Sequence, residues 1–182
     1  MELTAEVIKR YHLDKLRCLT LEEKQNMFLS QVRNNKDFAI LQHRKMWIWI
    51  AQQYAKGRRT AVENLKIEYS REYCFGIRVM SDCFCCEYAS SQEDTFGMCE
   101  KCPIQWNYDD CCNDDSEYSM IQDCVKNYVN IDYDISNYLA FDNFIPKKYY
   151  AMLRKETKLK HKVVKLAYKI SQLPERKEEN ED

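Results

Sequence analysis

Glycine, proline and histidine are scarce in this chain, with three of each among 182 residues. No glycine-rich loop able to cradle a phosphate is present, and no G-x-S-x-G nucleophile elbow. The histidines, His12, His43 and His161, all sit in helix-patterned segments away from the cysteines. Each reads as a core or solvated histidine rather than as the positioned base that a nucleophilic thiol needs. Alternation of apolar and polar residues over a strand's length is also scarce, so strands are expected to be few. Nowhere do eighteen apolar residues run together, and the opening "MELTAEVIKR" has no signal-peptide core. A cytoplasmic protein without a membrane span is expected, and no enzyme.

What is present is apolar mass, cysteine and a divided charge. Apolar residues make up 45% of the chain, enough to bury a core at this length. Ten cysteines in a reducing compartment point to metal binding with some buried thiols rather than to a disulfide framework. The net charge of -1 conceals three blocks. Residues 1–73 carry 14 Lys/Arg against 9 Asp/Glu (+5), residues 74–145 carry 3 against 14 (-11), and residues 146–182 carry 11 against 6 (+5). Such asymmetry steers oppositely charged partners to separate faces unless the blocks neutralise one another in the fold.

Helical periodicity dominates. Thr20 and Glu23 have capping-box spacing and predict a helix start. "DFAILQHRKMWIWIAQQYAKG" is apolar on all sides, which predicts a buried helix stopped by Gly57. Thr60 and Glu63 repeat the capping-box spacing before a helix to about Glu72. Two helices are expected after the cysteines, near Glu117–Val129 and Ile135–Phe141. Beyond Pro146, Leu159, Val163, Leu166, Ile170 and Leu173 recur at helical steps, predicting one long helix or two in tandem. The fold class expected is mainly α, a helical bundle with a small inserted cysteine-rich zinc module and few or no strands. Its parts are a basic helical region over 1–73, the acidic module over 74–130, a basic helical region over 131–173, and a disordered tail over 174–182.

Cys83 and Cys86 form one C-x-x-C, Cys99 and Cys102 a second, with twelve residues between. Two residues between thiolates let one turn aim both sulfurs at one ion, so the four are candidate ligands of a structural zinc. Cys85 could stand in for Cys86, and Cys111 or Cys112 for another member. A site closed by four thiolates leaves no position for substrate.

Two charged surfaces are candidates for partners. Residues 146–172 hold nine Lys/Arg and one Glu, with Lys158, Lys162, Lys165 and Lys169 at steps of four, three and four. With Lys155, Arg58 and Arg59 they make a candidate phosphate-tracking surface for double-stranded DNA, against the alternative of a solvated lysine face. Asp109, Asp110, Asp114, Asp115 and Glu117, beside Trp106, Tyr108 and Tyr118, combine negative charge with anchoring rings. Their alternative is a solvated loop that pairs with the basic helices.

"HRKMWIWIA", "CFCCEYA", "CEKCPIQW" and "KLAYKISQLPER", in that order over roughly residues 43–176, resemble a family of cysteine-rich proteins carried by phages and mobile elements of gut Firmicutes. Cys83, Cys86, Cys99, Cys102, Pro103, Ile104, Trp106 and Leu173–Pro174–Glu175 match the shared pattern, while Cys85 and the pair Cys111–Cys112 depart from it. Length and split charge also resemble an anti-CRISPR protein. That resemblance implies a non-enzymatic inhibitor that binds a type II RNA-guided nuclease, with DNA as a second candidate ligand. The residues themselves offer a route, since the acidic stretch 107–123 could occupy a basic nucleic-acid channel of the nuclease. The other reading is a zinc-stabilised DNA-binding accessory or regulatory protein of a mobile element.

Overall fold

The structure is a computed structural model, and it describes residues 19–79, 83–92, 99–107, 110–140 and 146–177. Six helices account for 72% of these residues, with no strand among them. They are α1 (Leu21–Asn34), α2 (Lys36–Ala55), α3 (Val62–Tyr73), α4 (Phe84–Ser90), α5 (Glu117–Ala140) and α6 (Pro146–Ser171). The mainly α class holds.

α1 begins as its sequence dictates. The Thr20 hydroxyl accepts from the Glu23 amide at 3.2 Å while the Glu23 carboxylate accepts from the Thr20 amide at 2.8 Å. The stop at Gly57 is also local chemistry. With φ at +88°, Gly57 lets its own amide reach the Tyr54 carbonyl at 2.9 Å and the Arg58 amide reach that of Gln53 at 3.1 Å, a Schellman closure. The second expected capping box does not form. α3 starts at Val62, and the Glu63 carboxylate accepts instead from Gln122 and Tyr118 of α5, which outcompetes the local cap.

The chain divides into two compact units, one drawn from Met1–His43, Ile67–Ile104 and Glu175–Asp182, the other from Arg44–Lys66 and Gln105–Pro174. α2 and α3 each give one end to either unit. In the first, α1 packs against α4, and Phe28 lies edge-on to Phe38, Phe75 and Phe84 with centroids 5.3, 6.2 and 6.1 Å away. Val32, Tyr69, Cys74, Cys85 and Ile104 are among the other buried residues of this unit. In the second, α5 packs along α6, burying Ile121, Val125, Tyr128 and Ile131 of the one and Val163, Leu166, Ala167 and Ile170 of the other. Trp47, Ile50, Tyr54, Leu65 and Trp106 are buried in the same unit.

Three expectations change. The two helices anticipated after the cysteines are one, α5, because Ile131 and Ile135 continue its buried face across the junction. α4 was not anticipated, its seven residues being too few to show a period. Residues 174–176 are held: the Gln105 amide donates to the Pro174 carbonyl at 2.9 Å, Ile104 and Glu175 form an antiparallel bridge, and the Arg176 amide donates to the Pro103 carbonyl at 2.8 Å. The rest of the expected tail, 178–182, lies outside the described residues.

Candidate metal and partner-binding residues

Cys83 is the residue from which α4 springs, its carbonyl accepting from the Glu87 amide at 3.0 Å. Its thiol is buried and lies 3.6 Å from Nδ1 of His43, itself 1% exposed. Hydrogen bonding from the Cys85 and Cys86 thiols, and then from His43, holds the Cys83 thiol well below the usual thiol range against the opposing effect of burial. Cys85 is fully buried with its sulfur 3.9 Å from the Ala39 carbonyl, and Cys86 is half-buried. In the second C-x-x-C the Cys102 amide donates to the Cys99 carbonyl at 3.3 Å, closing the tight turn that two intervening residues allow. Cys102 is buried and Cys99 half-buried.

Cys83 is therefore brought to Cys85, Cys86 and His43, and Cys99 to Cys102 through their turn. The four sulfurs expected to hold zinc do not lie within 4.8 Å of one another. In the other unit the Asp110 carboxylate and the Cys112 thiol are within 4.8 Å, and the Cys111 and Cys112 sulfurs are 3.8 Å apart. Thiolate, imidazole and carboxylate donors thus stand in pairs and small groups able to hold a metal. His43 is the donor that the sequence hid. It precedes Cys83 by forty residues, and only the packing of α2 beside the start of α4 joins them. His43 is a core histidine, as its helix pattern led one to expect, but folding sets it against a thiol forty residues away, and burial of both groups closes the contact to a substrate.

The acidic stretch is largely turn chemistry. Asp110 accepts from the amides of Cys112 and Asn113 at 2.7 and 2.8 Å, Asn113 from that of Asp115 at 3.0 Å, and the Ser116 hydroxyl from that of Ser119 at 3.1 Å, capping α5. Asp114 and Asp115 are exposed, and Asp109 lies outside the described residues. Glu117 corrects its assignment to a partner-facing surface. It is fully buried, its Oε1 accepting from Lys169 Nζ at 2.9 Å and from Asn107. Both partners meet this carboxylate at Oε1, while its Oε2 is buried without a hydrogen bond among the described residues.

The same pair corrects Lys169, whose ammonium serves Glu117 rather than a phosphate. Arg59 pairs with Glu156 and lies 5.6 Å over the Tyr128 ring, and Arg58 reaches the Thr60 hydroxyl at 3.5 Å. Lys155, Lys158, Lys162 and Lys165 are all exposed along α6. The second unit also buries Lys66, whose Nζ is 3.0 Å from the Tyr118 hydroxyl and 4.2 Å over its ring. Tyr118 in turn donates to Glu63 at 3.2 Å, and Gln122 donates there at 2.6 Å. Burial works to raise Glu63, but these bonds and its own backbone amide leave it below the usual carboxylate range.

Among the described residues no helix is long and apolar enough to cross a membrane. No protein-family model, curated protein or solved structure matches the chain.

Proposed function

We propose that this chain is a non-enzymatic, metal-stabilised nucleic-acid-binding protein of the accessory or regulatory kind, acting in the cytoplasm of a host cell that carries a phage or mobile element. The observation that carries the reading is the exposed cationic face of α6, where Lys155, Lys158, Lys162 and Lys165 stand in solvent while the apolar stripe of the same helix is buried. A rigid row of cations on a packed helix suits a phosphate backbone, and its affinity should fall steeply with salt. Zinc is the metal we propose, with Cys83, Cys86, Cys99 and Cys102 as its ligands once a bound ion gathers sulfurs that do not lie within 4.8 Å of one another without it, and His43, beside Cys83, as the alternative donor.

A second reading, inhibition of a type II RNA-guided nuclease, is favoured by the exposed Asp114 and Asp115 on their self-capped turn. The burial of Glu117 leaves that acidic surface smaller than its sequence implies.

The test is a titration of the full chain against DNA, both duplex and single-stranded, at low and physiological salt. Binding that weakens with salt, and that Lys155→Glu with Lys162→Glu abolishes at unchanged helicity, supports the reading. Absence of binding to either form overturns it. A cleavage assay with purified type II nuclease, run beside it, supports the second reading only if inhibition persists in the charge-reversed protein and is lost with Asp114→Asn and Asp115→Asn.

A further inference from the structure

Tyr150, Arg154, Lys158, His161, Lys165 and Tyr168 recur along α6 at steps of four, four, three, four and three, and all six are exposed. At about 100° per residue such steps keep the six within one narrow stripe, and at about 1.5 Å rise it is about 27 Å long. Tyrosine stands at each end, Tyr150 with 59% and Tyr168 with 40% of its surface in water. Between them lie three permanent cations and an imidazole. The only acid of residues 146–172 is Glu156, and its carboxylate is taken by Arg59. No negative charge therefore interrupts the stripe.

We propose that this stripe is a binding track for single-stranded nucleic acid, with phosphates on Arg154, Lys158 and Lys165 and unpaired bases stacked on Tyr150 and Tyr168. The inference rests on the nucleic-acid reading above and narrows it to one form of the ligand. Charge alone does not choose between one strand and two, since a cationic helix also suits a duplex groove. The tyrosines do choose. Tyr150 meets Tyr149 edge-on at 5.9 Å yet keeps 59% of its surface in water, and a ring so exposed next to cations can stack on a base whose face is open, whereas in a duplex those faces are covered by neighbouring pairs. Phosphates along one strand repeat at about 3.4 Å when stacked, so the stripe matches about eight nucleotides. An anionic membrane is the poorer fit. An interfacial helix must insert an apolar face, and that of α6, Val163, Leu166, Ala167 and Ile170, is already buried in the unit.

The experiment measures fluorescence anisotropy of labelled twelve-nucleotide single-stranded DNA, the same sequence as RNA, and the matching DNA duplex, each against the full chain at 50 and 200 mM salt. Single strands should bind at least tenfold tighter than the duplex. Tyr150→Ala and Tyr168→Ala should each weaken single-strand binding about fivefold to tenfold with duplex binding unmoved, and phenylalanine at both positions should restore it, since stacking needs the ring and not the hydroxyl. Lys158→Gln and Lys165→Gln should each lower the salt slope by about 0.7, the value for single strands, rather than about 0.9. The DNA and RNA arms decide between the two sugars, and preference for either supports the track. Duplex binding as tight as single-strand binding, with the alanine variants silent at unchanged far-UV dichroism, overturns this inference and leaves the broader reading standing. No binding to any of the three, or binding only to anionic phosphatidylserine vesicles, overturns both.

Discussion

The first unit closes over thiols and phenyl rings, with Cys74, Cys83, Cys85 and Cys102 buried beside Phe28, Phe38 and Phe84, whereas the second closes over charges and phenols, with Lys66 and Glu117 beside Tyr54, Tyr118 and Tyr128. Among the described residues the first buries the carboxylate of Glu87, which Arg33 meets at 2.7 Å from a half-exposed position. The difference sets what each unit responds to: the state of its sulfur in one, proton and ion-pair balance in the other. The chain also carries separate reporters for the two, because Trp47, Trp49 and Trp106 all belong to the second unit while six of the nine described cysteines belong to the first.

The largest expected effect breaks the ion balance of the second unit. Glu117 is wholly buried and Lys169 half-exposed, so removing one partner is not equivalent to removing the other. Lys169→Met leaves a buried carboxylate with only Asn107 beside it and should cost about 3 kcal/mol. Glu117→Gln lets the lysine turn to water and should cost about 1 kcal/mol, a neutral hydrogen bond's worth. Urea titration followed by tryptophan fluorescence measures both. Equal costs would mean that Lys169 is not what stabilises Glu117.

The sulfur side should respond to metal and to serine. If zinc is held in the first unit, the gently purified protein contains about one zinc per chain and loses helicity or melting temperature on chelation, since metal affinity is folding free energy. Cys83→Ser should then cost about 2 kcal/mol or more, since it also places a hydroxyl in the buried contact with His43. Cys112→Ser, at an exposed position, should stay within about 0.5 kcal/mol. Metal analysis and thiol titration under native conditions check the pair. Metal-free protein in which the half-buried Cys86 and Cys99 react quickly, with melting unchanged by chelation, would remove zinc and leave the two units differing in packing alone.

What the sequence made legible follows from range. The Thr20–Glu23 box and the Gly57 stop are decided within six residues and were readable, and so was the exposed lysine face, because a 26-residue helix shows its period many times over. His43 beside Cys83, Glu117 beneath Lys169 and Glu63 turned to Tyr118 and Gln122 each depend on a contact across forty residues or more. No local pattern carries that information. The Asp-rich stretch shows a related limit: Asp110 was counted as surface charge, whereas it bonds the neighbouring amides of Cys112 and Asn113.

Titration sharpens the comparison further. Glu63 is lowered in the folded state, so its contribution is present above its unfolded value of 4.5 and disappears as pH falls through the folded value. Glu63→Gln should flatten the loss of stability below pH 4.5 as seen by tryptophan fluorescence. At the alkaline end, burial raises Tyr54 in the second unit and Tyr69 in the first above the ordinary 10. Both units gain from keeping these phenols neutral, and that gain is present below pH 10 and declines above it. A Glu63→Gln protein with an unchanged acid limb would show that its bonds to Tyr118 and Gln122 do not discriminate between the folded and unfolded states.

The smallest effect belongs to the first unit and to a site far from its sulfurs. Thr20 and Glu23 satisfy each other's amides at the start of α1, and these bonds, the one from the Thr20 amide foremost, lower the exposed Glu23 carboxyl. Thr20→Ala removes the hydroxyl half of the box and should cost about 1 kcal/mol, the usual worth of an N-cap. The loss should shrink as pH falls through the Glu23 range, because the bond that the Thr20 hydroxyl donates to the Glu23 carboxylate at 2.9 Å exists only in the parent protein and weakens when Glu23 is protonated. α1 reaches the core through Phe28 and Val32, so the change should register as earlier exposure of the buried thiols while the tryptophan signal moves later or less. Coincident movement of thiol reactivity and tryptophan fluorescence would mean that the two units unfold as one, and the contrast between them would then be one of composition without separate stability.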